Sequence, residues 1–477
     1  MVFADLFFLY GFLPVCLILY FFSKNITYRN IVLVTFSLIF YAWGEPVCVF
    51  LLIFTALIDY IMGLLIDKFR DRTGAKLALI ASLVINLSLL GFFKYSGFIV
   101  ENINNLIGLW SDFQIPMPRV RLPIGISFYT FQTISYTIDN YWGKVKTQKD
   151  FGKYLMYLSL FPQLVAGPVV RYSVIEESID NRKTTLADMS EGLSRIVMGL
   201  AKKVIIANNL STVVESLCGN AEIGYDIFKT QSVAGTWLGV ITIALWYYFD
   251  FSGYSDIAIG LGRIFGFKFN ENFNYPFICR NITEFWQRWH ISVGSFFRDY
   301  LLYLPIFGKR RPYASLFLVW FSTGLWHGAS WNFILWGLYY GLFILIEQKI
   351  GKKRMKKIPA VISHIYSKII IVVGFGIFHI ESIPAMGNFF KALVGANGGK
   401  LLDAVTRVTF MNNIWLFVAA IIFSVPIVKK TKEIMSKHRS TLVISNSIGV
   451  LMNAVLLIVC SLLLVDTTNN VFLYFNF

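Results

Sequence analysis

The stretch STGLWHGASWNFILWGLYYG, residues 322–341, sets a single imidazole, that of His327, in a run of tryptophan, glycine and aliphatic residues. Basic clusters begin at Lys309 before this stretch and at Lys352 after it. Because Lys and Arg concentrate on the cytoplasmic side of membrane proteins, both flanks are predicted to face the cytoplasm. A helix needs about 20 residues to cross about 30 Å of hydrocarbon, so the chain must turn back near 326–332, after about 12 to 16 residues. His327 is therefore expected deep in the membrane or in its outer half.

The whole chain has the composition of a membrane protein. Of its 477 residues 56% are hydrophobic and 15% are charged, and the apolar residues fall in long blocks. Lys and Arg outnumber Asp and Glu by 43 to 27, but 45 phenylalanines and long uncharged runs argue against a soluble basic domain that binds nucleic acid. The five cysteines have no CxxC spacing, so neither a metal site nor a disulfide framework is expected.

The basic clusters also predict a topology for the rest of the chain. The first apolar run, residues 6–22, precedes the first positive charge, Lys24, whereas a signal peptide carries its positive charge in front. We interpret this run as a retained span with its amino end outside. Two membrane crossings fit between the first and second clusters, and two more fit between the second and third. An even number of crossings returns the chain to the cytoplasmic side each time. The clusters predicted to face the cytoplasm are Lys24 with Arg29, 68–76, 144–153, Lys309 with Arg310 and Arg311, 352–357 and 429–439.

The middle of the chain, 154–290, has apolar runs too short to span simply. Re-entrant or broken helices are expected there, because irregular backbone at membrane depth is tolerated only where protein or water satisfies its polar groups. The loops outside the membrane are modest, so any chemistry must take place within the membrane body. We predict a single integral membrane domain over 1–477, with N-terminal helices to 122, a catalytic core over 123–350 and C-terminal helices from 351. The predicted breaks are at Pro162, Gly167, Pro168, Gly253 and Pro276.

His327 is the first candidate for a functional residue. An ionisable group inside a membrane is costly and marks a functional site by default, and a neutral imidazole can take a proton from a hydroxyl. Trp326 and Trp331 flank it, and Asn332 and Ser330 could orient a ring nitrogen. The alternative is a closely packed helix pair without chemistry, because four glycines have the spacing of helix contacts. These glycines are 324, 328, 337 and 341.

His290 is the second candidate, within NITEFWQRWHISVGSFFRDYLLYLP at 281–305. Arg280 and Arg288 belong to a charged, Trp-rich block that could hold the phosphates of an anionic donor. An interfacial helix with snorkelling charges would produce the same pattern, and this alternative stays open. The remaining histidines sit beside basic loops or a short apolar run: 364 and 438 are predicted to be solvated, and 379 is left undecided.

Other polar residues lie in apolar surroundings. Asp250, Tyr254 and Asp256 are expected to cap or anchor a broken helix, with contact to substrate as the alternative, because two carboxylates six residues apart do not share a helical face. Asp59 is a lone membrane acid, which we expect to be neutralised by a partner or by protonation. The segment containing Gln163 is predicted to be a re-entrant element that lines a cavity, and Gln163 is expected to contact substrate.

Five segments together resemble the membrane-bound O-acyltransferase (MBOAT) family. The opening of the chain, FYAWGEP at 40–46 and the closing VFLYFNF at 471–477 further resemble its bacterial branch of alginate O-acetylation proteins. The chain departs from this branch at GFGIFHIES, 374–382, where His379 stands in place of an expected Arg. The five segments are LPIGISFYTFQTISYTID (122–139), FPQLVAGPVVRY (161–172), YYFDFSGYSDIAIGLGRIFGF (247–267), NFNYPFICRNITEFWQRWHIS (272–292) and GLWHGASWNFILWGLYYG (324–341).

The resemblance implies an all-α polytopic membrane protein, with a ring of roughly ten to twelve helices, some re-entrant or broken, around a central funnel. It implies transfer of an acyl group, usually acetyl, to a polysaccharide outside the cell. The family's catalytic histidine falls on His327 and its second motif histidine on His290. The branch also implies an SGNH-type acetyltransferase partner outside the membrane and a location in the bacterial cytoplasmic membrane. The polymer stays open between alginate, cellulose, peptidoglycan and teichoic acid.

These expectations combine into one mechanism. A thioester donor such as acetyl-CoA approaches from the cytoplasm, guided by Arg280 and Arg288, and no bound cofactor is required. His327 deprotonates a hydroxyl of the acceptor or of a partner's serine, which attacks the thioester, while Asn332, Ser330 or backbone N–H groups stabilise the oxyanion. The alternative from another class is a transporter or flippase of a lipid-linked saccharide. The absence of two similar halves in the sequence disfavours it.

Overall fold

The computed structural model describes residues 1–165, 167–303, 309, 311–437 and 439–465. The predictions made for Arg310, for His438 and for the closing stretch 471–477 lie outside these residues. The described part of the chain is built from helices and contains no β-sheet. This agrees with the demand of hydrocarbon that each spanning segment satisfy its own backbone hydrogen bonds.

Seven of the described helices are long and apolar enough to cross a membrane, and eight if one bent pair, Ala404–Asn412 with Ile414–Ser424, counts as a single span. The protein is therefore a multi-pass membrane protein with an all-α fold. The run predicted as the first span forms a shorter apolar helix, Phe8–Phe22. The seven helices are Ile26–Gly44, Cys48–Lys68, Thr73–Ile107, Leu186–Cys218, Trp331–Ile350, Ala360–His379 and Val443–Val465.

The described chain divides into two compact units. The first comprises Met1–Ile196 and Ile257–Asn270, and the second comprises Val197–Asp256 and the described residues from Glu271 onward. The predicted single domain, with its sections at 122 and 350, stays a prediction. The α-helices of the first half of the chain are α1 (Leu13–Phe22), α2 (Ile26–Gly44), α3 (Cys48–Lys68), α4 (Thr73–Ile107), α5 (Ile126–Tyr141), α6 (Phe151–Ser159), α7 (Phe161–Leu164), α8 (Tyr172–Asp180), α9 (Leu186–Ala201) and α10 (Asn208–Cys218).

The second half of the chain alternates long helices with short ones. Short π-helices at Phe8–Phe12, Lys202–Ala207 and Arg298–Leu302 and 3₁₀-helices at Asp226–Lys229 and Pro276–Ile278 complete the set. The α-helices are α11 (Val233–Ile264), α12 (Ile282–Trp286), α13 (Ile291–Phe297), α14 (Pro312–His327), α15 (Trp331–Ile350), α16 (Lys352–Met355), α17 (Ala360–His379), α18 (Ile383–Leu393), α19 (Ala404–Asn412), α20 (Ile414–Ser424), α21 (Ile427–Met435) and α22 (Arg439–Val465).

Each unit has an aromatic core. In the first unit, phenylalanine rings 3, 8, 12, 40 and 161 pack with centroids 5.0–6.5 Å apart. In the second unit the Trp286 ring contacts the rings of Trp320, Trp336 and Tyr340 at 4.9–5.4 Å. Tilted and edge-to-face ring pairs of this kind add about 0.5–1.5 kcal/mol each beyond the area they bury. Such packing holds the short helix α12 beside α14 and α15.

The predicted breaks in the middle of the chain are confirmed at the prolines and wrong at Gly253. Pro162 lies in the four-residue helix α7, and Pro276 begins a 3₁₀-helix. Gly253, however, lies inside the uninterrupted helix α11. Its missing side chain serves helix packing, because a Cβ there would lie 2.8 Å from the Gly199 carbonyl oxygen.

Asp59 is fully buried on α3 and is held by uncharged partners. The Ser82 hydroxyl and the Asn86 side-chain amide, both on α4, donate hydrogen bonds to its carboxyl group. These hydrogen-bond donors carry no charge, so the predicted neutralisation of Asp59 by a partner or by protonation stays a prediction. This cluster joins α3 to α4 within the first unit.

Candidate active site

His327 lies at the tip of a helical hairpin. It is the last residue of α14, Gly328 is extended, and Ser330 precedes α15, which begins at Trp331. The chain therefore reverses within 326–332, as predicted from the basic flanks on both sides of the hairpin. His327 is buried, with 7% of its surface exposed.

The glycines of the hairpin hold its two helices in close contact. A Cβ on Gly324 would collide with the carbonyl group of Phe333, and one on Gly337 would collide with the carbonyl group of Trp320. The close-packing interpretation of these glycines is therefore confirmed. It is compatible with a functional His327, since the packing fixes the backbone that carries the imidazole.

The His327 ring is enclosed by aromatic side chains. Its centroid lies 4.9 Å from that of Trp326, 4.8 Å from that of Trp336 and 5.2 Å from that of Phe378. All three aromatic residues are buried, whereas Trp331, predicted to flank the imidazole, is 50% exposed. Apolar walls of this kind lower the local dielectric constant and strengthen electrostatic interactions with a reacting group.

Trp336 and Phe378 were missed by sequence reasoning. Trp336 stands in the quoted stretch, five residues after Trp331, and an additional tryptophan there could have suggested a role. Phe378 is on α17 and belongs to the segment that departs from the family pattern, so no local signal pointed to it.

Asn332 is fully buried and connects α15 to α17. Its side-chain amide nitrogen donates to the Phe378 carbonyl oxygen at 2.8 Å. Its side-chain oxygen has no hydrogen-bond partner among the described residues. Because the amide nitrogen carries two hydrogens, one is used in this tie and the second is available for another acceptor. Ser330 is half-buried and directly precedes α15.

His290 lies on the same aromatic wall as His327. Its ring centroid is 5.8 Å from that of Trp326, which itself contacts His327. The ring also meets Phe251 edge-on at 4.6 Å, and His290 is 3% exposed. Burial lowers the pKa of His290 to about 3, so the imidazole is neutral at neutral pH. The structure thus brings the two predicted histidines together around Trp326.

A buried carboxylate on α15 fixes the segment that leads to His290. Glu347 accepts hydrogen bonds from the backbone N–H of Ile282 at 2.6 Å and of Thr283 at 2.9 Å, and from the Thr283 hydroxyl at 2.6 Å. It therefore satisfies donors at the N-terminus of α12, where negative charge is favoured. Sequence reasoning missed Glu347, which is separated from α12 by more than sixty residues.

The two arginines expected to bind donor phosphates differ in their surroundings. The Arg288 guanidinium pairs with Glu284 at 3.0 Å and donates to the Asn274 carbonyl oxygen at 3.1 Å. Arg280 is exposed, and its backbone N–H donates to the same Glu284 carboxylate. Glu284 therefore links both positions, and the Arg288 side chain, which is 26% exposed, is less accessible to solvent than that of Arg280.

Asp250 forms a buried ion pair with Lys203, at 2.6 Å, and both side chains are 5% exposed or less. Asp256 pairs with Lys202 at the same distance, in a less buried position. Tyr254 lies one turn after Asp250 and is 1% exposed. The prediction that these residues cap or anchor a broken helix is wrong about the break, because α11 is continuous there. The two carboxylates instead tie α11 to the π-helix Lys202–Ala207.

Gln163 belongs to the first unit. Its side-chain amide nitrogen donates to the Tyr157 carbonyl oxygen, and Gln163 is fully buried. Its side-chain oxygen has no hydrogen-bond partner among the described residues. Its predicted contact with substrate stays a prediction.

The His379 ring is held by hydrogen bonds that join parts of the fold. Its Nε2 donates to the Gly219 carbonyl oxygen at 3.0 Å, so Nδ1 of the neutral ring accepts from the Tyr247 hydroxyl at 3.2 Å. The Tyr225 hydroxyl donates to its backbone oxygen. These bonds tie the end of α17 to α11 and to the loop after α10, and both ring nitrogens are engaged. His364, predicted to be solvated, is half-buried on the same helix.

Comparison with known proteins agrees with this architecture. The model of the membrane-bound O-acyltransferase family matches residues 144–387, about half of the chain. A probable alginate O-acetylase of Pseudomonas aeruginosa is 37% identical, over 82% of this chain and 75% of the relative. The peptidoglycan O-acetyltransferase of Helicobacter pylori is 30% identical, over 98% and 96%. The teichoic acid D-alanyltransferase of Bacillus subtilis is 30% identical, over 50% and 62%.

The fold is an all-α membrane fold, and a buried histidine lies at the tip of one helical hairpin. The sequence is similar to those of acyl-transferring enzymes. The chain belongs to the membrane-bound O-acyltransferase family, in its alginate O-acetylase branch. It is an O-acyltransferase, which decides against the transporter alternative.

Proposed function

We propose that this protein transfers an acetyl group from a cytoplasmic thioester, such as acetyl-CoA, to a hydroxyl of an extracytoplasmic polysaccharide, with His327 as general base. The observation that carries the proposal is the buried imidazole at the tip of the α14–α15 hairpin, enclosed by Trp326, Trp336 and Phe378. A base held there removes the need to move a whole substrate across the membrane, because donor and acceptor can each approach from their own side.

The proposed reaction is attack of a hydroxyl on the thioester with His327 as general base. The imidazole takes the proton of the attacking hydroxyl, and the hydroxyl oxygen forms a bond with the thioester carbonyl carbon. The resulting oxyanion collapses as the carbon–sulfur bond breaks, and the imidazolium returns its proton to the departing thiolate. General-base assistance of this kind contributes typically about 10²–10⁴-fold in rate.

Asn332 and backbone N–H groups near Ser330 are the proposed oxyanion donors. Asn332 is held by its tie to Phe378 while one amide hydrogen stays available, which is the preorganisation such a donor needs. Each oxyanion donor is typically worth about 3 kcal/mol in the transition state. Arg280, whose side chain is exposed, is the better placed of the two arginines to meet the donor's phosphates, because Arg288 is paired with Glu284.

The names of the relatives support a proposal for the acceptor, and the resemblance to the alginate O-acetylation branch supports one for the partner. The names of these relatives cite alginate, peptidoglycan and teichoic acid. We propose an alginate-like polysaccharide as the acceptor, an SGNH-type acetyltransferase outside the membrane as the partner that completes the transfer, and the bacterial cytoplasmic membrane as the location.

Substitution of His327 by Ala tests the proposal. Surface polysaccharides of cells that carry the variant should lose their O-acetyl groups, as measured by mass spectrometry, while the variant keeps its normal abundance in the membrane. His364→Ala is the matched control, because this histidine belongs to the same unit but has no part in the proposed chemistry, and acetylation should be unchanged. Retained acetylation in His327→Ala would remove His327 as the base.

A further inference from the structure

We propose that Asn272 is a positioning residue that holds His290 in the tautomer with its proton on Nδ1 and its lone pair on Nε2. Asn272 is fully buried in the loop between α11 and α12 and was not singled out from the sequence. Only the role of His290 in catalysis rests on the proposed function. The tautomer itself follows from hydrogen-bond geometry.

The orientation of the Asn272 amide is fixed by its neighbours. One side-chain atom accepts from the backbone N–H of Ser292 at 3.2 Å and from the Ser292 hydroxyl at 2.9 Å. A backbone N–H can only donate, so the atom that it meets must be the amide oxygen. The amide nitrogen then faces the Ser255 hydroxyl on α11, to which it donates at 3.1 Å. The usual ambiguity between amide oxygen and nitrogen is therefore absent here.

This orientation determines where the proton on His290 lies. The Asn272 side-chain oxygen carries no hydrogen and lies 3.1 Å from Nδ1 of His290. Nδ1 must therefore be the donor in this bond. A neutral imidazole has only one N–H, so Nε2 carries the lone pair.

The backbone around His290 holds this arrangement in place. His290 adopts φ 46° and ψ 52°, a left-handed conformation that residues other than glycine rarely take. On one side of it the Ile291 N–H donates to the Asn272 carbonyl oxygen at 3.0 Å, and on the other the Asn274 N–H donates to the Arg288 carbonyl oxygen at 2.9 Å. Strained conformations persist where surrounding bonds over-determine them, and they occur often at functional sites.

The tautomer assigns His290 a role distinct from that of an oxyanion donor. With its lone pair on Nε2, the neutral ring accepts a hydrogen bond and offers none there to a developing negative charge. We assign to it the orientation of the attacking hydroxyl, next to the Trp326 ring that it shares with His327. Oxyanion stabilisation is then left to groups such as Asn332. Loss of His290 should accordingly cost less activity than loss of His327.

Nitrogen NMR of the full-length protein tests the tautomer directly. The chain has five histidines, so protein with ¹⁵N-labelled histidine gives few ring signals, and His290→Gln identifies the relevant pair. The wild type should show a protonated Nδ1 and an unprotonated Nε2. Asn272→Asp should keep this pattern, because a carboxylate oxygen still accepts from Nδ1, whereas Asn272→Ala should lose the preference. A wild-type proton on Nε2 would overturn the inference.

Enzyme kinetics test whether the tautomer matters. Asn272→Ala should lower kcat about ten- to a hundredfold, by analogy with the cost of losing a group that orients a metal-ligating histidine, with little change in KM for the donor. Asn272→Asp should recover most of this loss. Ser255→Ala is the control, because it removes only the partner of the amide nitrogen, and it should keep both the tautomer and the rate.

Equal loss of kcat in Asn272→Asp and Asn272→Ala, with the tautomer intact in Asn272→Asp, would refute the positioning role. Failure of the proposed function is distinguishable from this outcome. Activity in His327→Ala would remove the base but would leave the NMR pattern of His290 unchanged.

Discussion

Removal of the buried Asp250 carboxylate should destabilise the protein strongly, because it takes away the carboxylate with which the Lys203 ammonium pairs. The two groups are 2.6 Å apart, with side chains 5% and 2% exposed. Breaking a buried ion pair by removing one partner typically costs about 3–5 kcal/mol of stability. We therefore expect Asp250→Ala to lower the stability of the second unit by about this amount.

The structure supplies a matched control in the neighbouring pair. Lys202 and Asp256 are also 2.6 Å apart, but their side chains are 21% and 17% exposed. Asp256→Ala should therefore cost clearly less than Asp250→Ala, since water can solvate the ammonium that it leaves behind. Replacing both buried charges, in Lys203→Met with Asp250→Leu, should recover most of the lost stability, because a well-packed apolar pair is often as stable as a buried ion pair.

The assay is thermal unfolding of the purified protein in detergent. The acetyl-transfer activity of each variant that remains folded is then measured. Asp250→Ala should unfold at the lowest temperature, Asp256→Ala at a higher one, and the doubly substituted protein close to the wild type. Equal unfolding temperatures for Asp250→Ala and the wild type would refute the reasoning. A stable but inactive doubly substituted protein would instead support the alternative that Asp250 contacts substrate.

Three further changes test the packing around the site, each by thermal unfolding in detergent. Glu347→Ala should cost about 1.5–3 kcal/mol, the contribution of hydrogen bonds to a charged group, and Glu347→Gln should cost less. Gly324→Ala should destabilise by about 1–3 kcal/mol because its Cβ meets the Phe333 carbonyl group, whereas Gly91→Ala, with open space around it, should be neutral or stabilising. Equal effects of the two glycine changes would contradict the close hairpin contact. His379→Leu should cost about 1–3 kcal/mol for each partner left unsatisfied, and His379→Gln, whose amide can both donate and accept, should cost less. Loss of activity at full stability in His379→Gln would contradict a structural role.

The position of His327 at a reversal of the chain could be predicted from the sequence, because it depends on the order and spacing of residues along the chain. Basic flanks and the length of the apolar stretch between them force a reversal of the chain near this residue. The spacing of the four glycines in the same stretch also predicted a close helix contact. The structure confirms both the reversal of the chain and this contact. The family resemblance added the catalytic assignment, which local physics alone left open.

The contacts that hold the site could not be predicted, because they join distant parts of the chain. Lys203 follows a hydrophobic helix and gives no sign that it will be buried opposite Asp250. Asn272 is one of several asparagines in a loop, and only the fold sets it against His290. Phe378 reaches His327 from another helix.

Gly253 shows why a local rule fails inside a packed membrane protein. A glycine within a helix costs about 1 kcal/mol relative to alanine, which suggests a break when the sequence is considered alone. Here the loss is offset by the close approach of Gly199, which only a residue without a side chain permits. Tertiary packing therefore overrides helix propensity at this position.

Transfer across a sealed membrane, in vesicles with the purified protein, tests the central claim most directly. Labelled acetyl-CoA is enclosed on the face corresponding to the cytoplasm, and the saccharide acceptor, with the extracytoplasmic acetyltransferase where it is required, is supplied on the other. The wild type should place labelled acetyl groups on the outer components, and His327→Ala should place none. Transfer by His327→Ala at the wild-type rate would contradict the account.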